Sequence, residues 1–203
     1  MSKLRIIAIL TILILAFSST ITISFSQPLS ATDATGFTLS LSQPPNRIIS
    51  LAPGNTEILF ALGLNDKIVG VTTYCDEPIE ALKKEKIGNV TEIDLEKILT
   101  LQPDLILASS LTPEETVARL HELSLPVFTL KSDTIEEVIE DITKVAVLSG
   151  VEISGSNLIK TMKDQLKKIN DFAQSIPDHQ KPLVFHIIWH DPIWTAGNGT
   201  FIN

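Results

Sequence analysis

Only one cysteine, Cys75, occurs in the 203 residues, so no internal disulfide can brace the fold and packing must do that work. Positive charge is scarce as well. Once Lys3 and Arg5 near the start are set aside, 14 Lys and Arg face 24 Asp and Glu. Nucleic acids and anionic membrane surfaces need clustered cations, so an acidic body excludes both as partners. The patterns that mark common catalytic and nucleotide sites are missing: no GxGxxG, no GxxxxGK[ST], no GxSxG and no HExxH. Histidines number four and aromatics make up 5% of the chain, with a single tyrosine and two tryptophans. Such a sequence offers little for a phosphate cradle, an acyl-transfer centre or a histidine-rich metal site.

Apolar residues, by contrast, reach 44%, enough for a packed core. Part of that content sits in residues 1–26. Lys3 and Arg5 precede an apolar run from Ile6 to Phe17 broken only by Thr11, and Ser24 and Ser26 are small residues at the spacing of a signal-peptidase site. The run falls short of the ~20 residues that span a bilayer. An uncleaved anchor is the alternative, and either reading sends the protein out of the cytoplasm. Residues 27–45 are rich in Ser, Thr, Pro and Gly and read as a linker, either a tether or a short leading strand.

An alternation of strands and helices then begins. Arg47–Ala52 is a β-branched apolar run; Pro53-Gly54 makes a turn, Asn55-Thr56-Glu57 opens a helix, and Gly63 stops it. Lys67–Thr72, Asp104–Ala108 and Pro126–Leu130 read as further buried strands. Between them lie helices opened by Asp94, by Thr112-Pro113 and by Thr134, the last running to Ser149 before Gly150. Strands alternating with helices imply βαβ units and a parallel sheet covered on both faces, an α/β fold. From Glu152 to Ala173 one long helix is expected, with Leu158, Ile159, Met162, Leu166 and Ile169 near one side. Leu183–Ile188 reads as a strand beyond it.

Candidate functional residues lie at strand ends. Tyr74 follows the second strand of this series, at the kind of edge where open parallel sheets bind ligands; the alternative is a turn tyrosine with its hydroxyl in water. Trp189, Trp194 and Phe201 gather near the end of the chain, either as core or as a rigid wall for a large flat ligand. His190, at the end of the last strand, is placed for a cleft, while His186 reads as an ordinary sheet residue and His121 and His179 as solvated surface. Glu96 complements the dipole of the helix that Asp94 caps.

These segments together resemble a known family. RIISLAPGNTEILFALG at Arg47–Gly63, then VGVTTYCDEP, then DLEKILTLQPDLILA are similar, in order and spacing, to the amino-terminal lobe of ABC-importer binding proteins for cobalamin and ferric siderophores, the class built on a long helical backbone. The cobalamin-binding branch is the nearer match. The resemblance implies a Rossmann-like lobe over 46–150, an interlobe helix over 151–177 and the start of a second α/β lobe over 182–203. It implies a family member extended by a further ~80–100 residues, so the chain reads as truncated at its carboxyl end. It also implies a non-catalytic monomer outside the cytoplasmic membrane that hands its ligand to a permease and its ATPase. It needs no cofactor or resident metal, the ligand being cobalamin or another metal chelate, with a ferric siderophore or haem as the alternative. Tyr74 matches the family's cleft tyrosine, and Glu96 the glutamate that meets permease arginines. Pro53, Asn55 and Thr56 would frame the cleft floor, with Trp189, His190 and Trp194 facing them from the other lobe. Tryptophans that cobalamin binders can carry are replaced by Val90 and Ser109. An exported α/β enzyme is the reading from another class.

Overall fold

The computed structural model describes residues 28–90 and 92–197; the expected signal segment and Phe201 lie outside them. At the centre is a four-stranded parallel sheet, β3 (Ile48–Ser50), β4 (Ile68–Val71), β5 (Leu105–Ser109) and β6 (Val127–Leu130), in the order β4-β3-β5-β6. The helices are α1 (Pro53–Ala61), α2 (Leu95–Leu101), α3 (Glu114–Glu122), α4 (Ile135–Ser149) and α5 (Glu152–Ser175).

Alternation along the strands feeds two separate apolar layers. Leu105 and Leu107 of β5 join Leu59, Phe128, Val145 and Leu148 on the face covered by α1, α4 and α5. Ile106 and Ala108 join Ile49, Val127, Ile98 and Leu120 on the face covered by α2 and α3. Side chains of successive strand residues point to opposite faces, so a strand buried on both sides must be apolar throughout, as β5 is.

Several local signals act as their chemistry predicts. Asp94 caps α2 by accepting from the Lys97 N–H. Thr134 and Glu137 form a reciprocal capping box on α4, and Gly150 ends that helix in the left-handed region. Elsewhere the fold differs from the expectation. Helix α1 starts at Pro53 rather than at an Asn55 cap, and its N-cap residue Ala52 contributes no side-chain bond. The fixed backbone angle of Pro53 starts the helix, which frees Asn55 and Thr56 for tertiary bonds. Thr112 does not cap α3 either; its Oγ1 accepts from the Ser109 N–H, tightening the loop after β5.

The segment expected as a tether or short strand forms an antiparallel hairpin, β1 (Leu29–Thr32) with β2 (Thr38–Leu41). Its turn is locked by Asp33, which accepts from the Thr35 and Phe37 N–H groups. The same carboxylate accepts from Thr129 N–H, while Ala34 N–H donates to Thr129 C=O at 3.0 Å. The hairpin turn thus satisfies the outer edge of β6, which would otherwise be open to pairing with another chain. Phe37 packs on His121 with ring centroids 4.9 Å apart, so His121 is half-buried rather than solvated surface.

Helix α5 is a single piece of 24 residues, about 36 Å long at 1.5 Å per residue. Its first half is seated: Gly155 is buried, and Leu158, Ile159 and Met162 pack on the core. Its second half is bare, with Ile169 65% and Phe172 69% exposed. Leu183–Ile188 forms no strand; every residue from 177 to 195 is exposed. An apolar run becomes a strand only when a neighbouring strand pairs along it and a layer covers it; here the bonds to the run are Ile188 N–H to Trp194 C=O at 2.8 Å and Thr195 Oγ1 to His186 C=O, and its residues are exposed. Only a two-residue pairing follows, β7 (Trp189–His190) with β8 (Ile193–Trp194). Among the described residues no helix is long and apolar enough to cross a membrane.

The α4–α5 seam depends on one small residue. A β-carbon added at Gly155 would lie 2.6 Å from Ala146 Cβ, closer than two carbons can approach. Gly155→Val is expected to cost about 1–3 kcal/mol by overpacking, read as a lower urea midpoint without loss of the sheet's circular-dichroism signal at low denaturant.

Candidate functional site

The order β4-β3-β5-β6 places a topological switch between β3 and β5. The chain leaves β3 toward one side of the sheet and leaves β5 toward the other, so the loops after these adjacent strands part. In open α/β sheets the crevice left outside the carboxyl ends at such a point is where ligands bind.

A cavity of about 620 Å³ opens there. Its floor is Ala52–Asn55 after β3 and Ser109–Leu111 after β5, and its far wall is Leu158 and Met162 of α5. A second hollow of about 580 Å³, on the α3 side, shares Ser109 and Ser110 and adds His121, Glu114 and Lys131. Ser110 and Leu111 were not among the residues expected at the site; their place directly after a buried strand is the signal that could have found them.

Of the residues expected at the site, Pro53 and Asn55 line the larger cavity. Asn55 is also a strut: its Nδ2 donates to Leu107 C=O at 3.1 Å and Ala108 C=O at 2.9 Å, tying α1 across the switch to β5. Thr56 is not a cleft residue. It is fully buried, and its hydroxyl donates to Ser50 Oγ at 2.8 Å and reaches Ala52 C=O. As a helical threonine it turns back on the preceding turn.

Tyr74 stands at the end of neighbouring β4, 63% exposed, outside both cavity linings. Its loop leaves the sheet at Thr72 and returns at Glu85–Lys86, where Val71 pairs with Lys86 in parallel. The neck is closed by Val71 N–H to Glu85 C=O and Ile87 N–H to Val71 C=O. Cys75 is buried beneath Tyr74, its sulfur 3.2 Å from Thr72 Oγ1.

Trp189, His190 and Trp194 sit on the exposed β7–β8 turn, and among the described residues neither of these two cavities is lined from beyond Met162. Trp189 is 55% and Trp194 61% exposed. These three therefore stand outside the lining of the switch crevice, as Tyr74 does. Glu96 is exposed in the first turn of α2, and among the described residues no ion pair involves it; its neighbour Lys97 pairs with Glu85. His186 lies in irregular chain and its C=O accepts from Thr195 Oγ1, so it shares no strand face with His190.

Residues 48–203 match the periplasmic binding protein family. The chain belongs to that family. Along 181 residues it is 36% identical to an uncharacterised ABC transporter substrate-binding lipoprotein of Bacillus subtilis, an alignment that takes in 87% of this chain and 57% of the relative. The crystal structure of the periplasmic vitamin B12 binding protein of Vibrio cholerae superposes with a TM-score of 0.68 at 34% identity, covering 77% of this chain and 61% of that one. An apo-form periplasmic heme-binding protein of Roseiflexus gives 0.65 at 28%, covering 76% and 60%. The chain thus spans less than two thirds of the length of each of these proteins. The mixed α/β architecture with its parallel four-stranded sheet is the fold of this periplasmic binding protein.

One buried titratable group adjoins the larger cavity. Asp141 of α4 accepts from Ser132 Oγ at 2.7 Å, and Ser132 lines that cavity. Burial pushes its carboxyl above the usual aspartate range, against the Ser132 hydrogen bond and Lys144, which pull it down. The folded state therefore holds this proton more tightly than the unfolded chain. The resulting penalty is absent below the unfolded value of 3.8 and grows as pH rises through the folded value. Urea titrations of wild type and Asp141→Asn from pH 3.5 to 7 are expected to show the wild type losing stability relative to the variant as pH rises. The opposite slope would mean that Ser132 and Lys144 outweigh burial.

Proposed function

We propose that this periplasmic binding protein serves an ABC importer, capturing a large metal chelate, cobalamin first, outside the cytoplasmic membrane and delivering it to a permease and its ATPase. The observation that carries the reading is the site at the switch point. A cavity of about 620 Å³ is bounded on one side by the foot of a continuous helix whose outer half, with Ile169 and Phe172, projects bare from the lobe. A rigid spine of that kind holds a second lobe at fixed distance, and a bulky ligand then lies between the two.

In this reading Tyr74, Pro53 and Asn55 present the amino-lobe surface of the cleft. Trp189, His190 and Trp194 are assigned to the opposing side of the cleft. In this reading binding is non-catalytic, as the relatives' names describe binding. Glu96, held out by a capped helix, meets an arginine on the permease.

Haem is the second reading, favoured by the exposed Tyr74 phenol, an available iron ligand. Calorimetry of the whole protein with cyanocobalamin separates the two. Heat of binding at micromolar protein, reduced about tenfold or more in affinity by Tyr74→Ala, is expected for cobalamin; aromatic contacts at a ligand carry energies of that order. No heat, with a Soret shift on adding haem, would move the assignment to haem. Docking has its own test. Glu96→Lys is expected to leave ligand affinity unchanged while removing stimulation of the reconstituted transporter's ATPase, and unchanged stimulation would dismiss Glu96 as a contact.

A further inference from the structure

Lys86 ends a lysine-rich stretch that also holds Lys83 and Lys84. In the structure Lys86 is different. Its half-buried ammonium turns inward and lies 2.9 Å from Cys75 C=O, 3.3 Å from Ala81 C=O and 3.4 Å from Thr72 C=O. An ammonium has three N–H donors, and each has a carbonyl. Among the described residues no carboxylate pairs with it, although Asp76, Glu77 and Glu80 lie in the same loop. The three carbonyls span the loop: Thr72 at its departure from β4, Cys75 just after Tyr74, and Ala81 in the short 3-10 turn Ile79–Lys83.

Other ties reach the loop only near its two ends, where Thr73 N–H donates to Gly88 C=O at 2.9 Å and Lys84 Nζ donates to Asn65 C=O. Tyr74, Ile79 and Leu82 point outward at 63%, 64% and 50% exposure, and Thr72, Cys75 and Ala81 are its buried anchors. Apart from its neck, its shape is set by short backbone bonds such as Cys75 N–H to Thr72 C=O and Ala81 N–H to Pro78 C=O. A point charge gripping both limbs is what fixes the limbs against each other.

We propose that Lys86 is the positioning residue of the ligand site, its ammonium holding loop 72–84 in the one shape that presents Tyr74 over the carboxyl edge of the sheet. The inference rests on the reading of Tyr74 as a ligand contact, and it extends that reading to a residue that touches no ligand. A planar guanidinium cannot aim three N–H groups at carbonyls converging on one point, so arginine is a poor substitute despite its charge.

Because Tyr74 is the only tyrosine in the chain, fluorotyrosine labelling gives one resonance that reports on this loop without any ligand. In Lys86→Met that resonance is expected to move toward the free-tyrosine position. Amide exchange over 72–83 should quicken by about tenfold or more, the factor that one charge-assisted hydrogen bond represents, while exchange in β3 and β5 stays unchanged. Lys86→Arg should show the same direction to a smaller degree, and it decides the matter if the methionine variant does not fold. An unmoved resonance with unaltered exchange in the folded variants overturns the proposal. With cyanocobalamin as probe in the whole protein, Lys86→Met should weaken binding about tenfold and add nothing in a Tyr74→Ala background; equal losses in both backgrounds would also overturn it. If the wild type binds no cyanocobalamin, the cobalamin reading falls, and Lys86 stands or falls on the resonance alone.

Discussion

Strands β3 and β5 are walled by apolar layers on both faces and by hydrogen-bonded neighbours on both sides. Their chain can offer polar groups to a ligand only at its ends. At the carboxyl end the two strands send their successors in opposite directions, α1 to one face and α3 to the other, and the parting loops cannot fill the space between them. The crevice follows from that topology. Asn55 keeps it in shape, reaching from α1 to two carbonyls of β5, and the Ser132–Asp141 pair ties the loop after β6 to α4 at the same rim.

Helix α5 carries the geometry away from the lobe. Its first three turns are fixed on α4 by the close approach at Gly155 and by Leu158, Ile159 and Met162. A helix that is continuous through this seam transmits its direction to the exposed half, because bending it needs a proline, a bulge or an inserted side chain, and it stays one α-helix from Glu152 to Ser175. The apolar stripe does not stop where the packing stops. Ile169 and Phe172 continue it into solvent, and large apolar side chains in a row on an exposed helix mark a surface meant to be covered.

Charge is spent in two ways. Several ion pairs are exposed helix pairs such as Lys160–Asp164 and Lys167–Asp171, worth about a few tenths of a kcal/mol each. Polar groups aimed inward do more. Asp33 closes the hairpin turn and the edge of β6 together, and Lys86 collects three carbonyls of the Tyr74 loop. In both cases one side chain satisfies backbone groups from segments that share no regular ladder, which is how irregular chain at a binding edge acquires a defined shape.

Local physics was readable from residue order. Short continuous apolar runs marked all four sheet strands, Asp94, Thr134 and Gly150 marked helix ends, and one long amphipathic helix was expected where α5 lies, because caps and patterning act over a few residues. The resemblance carried in those same segments pointed to the family. Tertiary structure decided what depends on distant partners. It set the order β4-β3-β5-β6 and hence the crevice, and it turned Asn55 and Thr56 from cap candidates into a strut and a buried bond. It folded 29–41 into a hairpin against β6, and it left Leu183–Ile188 exposed and outside any strand although its sequence is as strand-like as β5. A strand is a relation between segments, and a lysine's role depends on which carbonyls surround it; neither is a property of neighbouring residues alone.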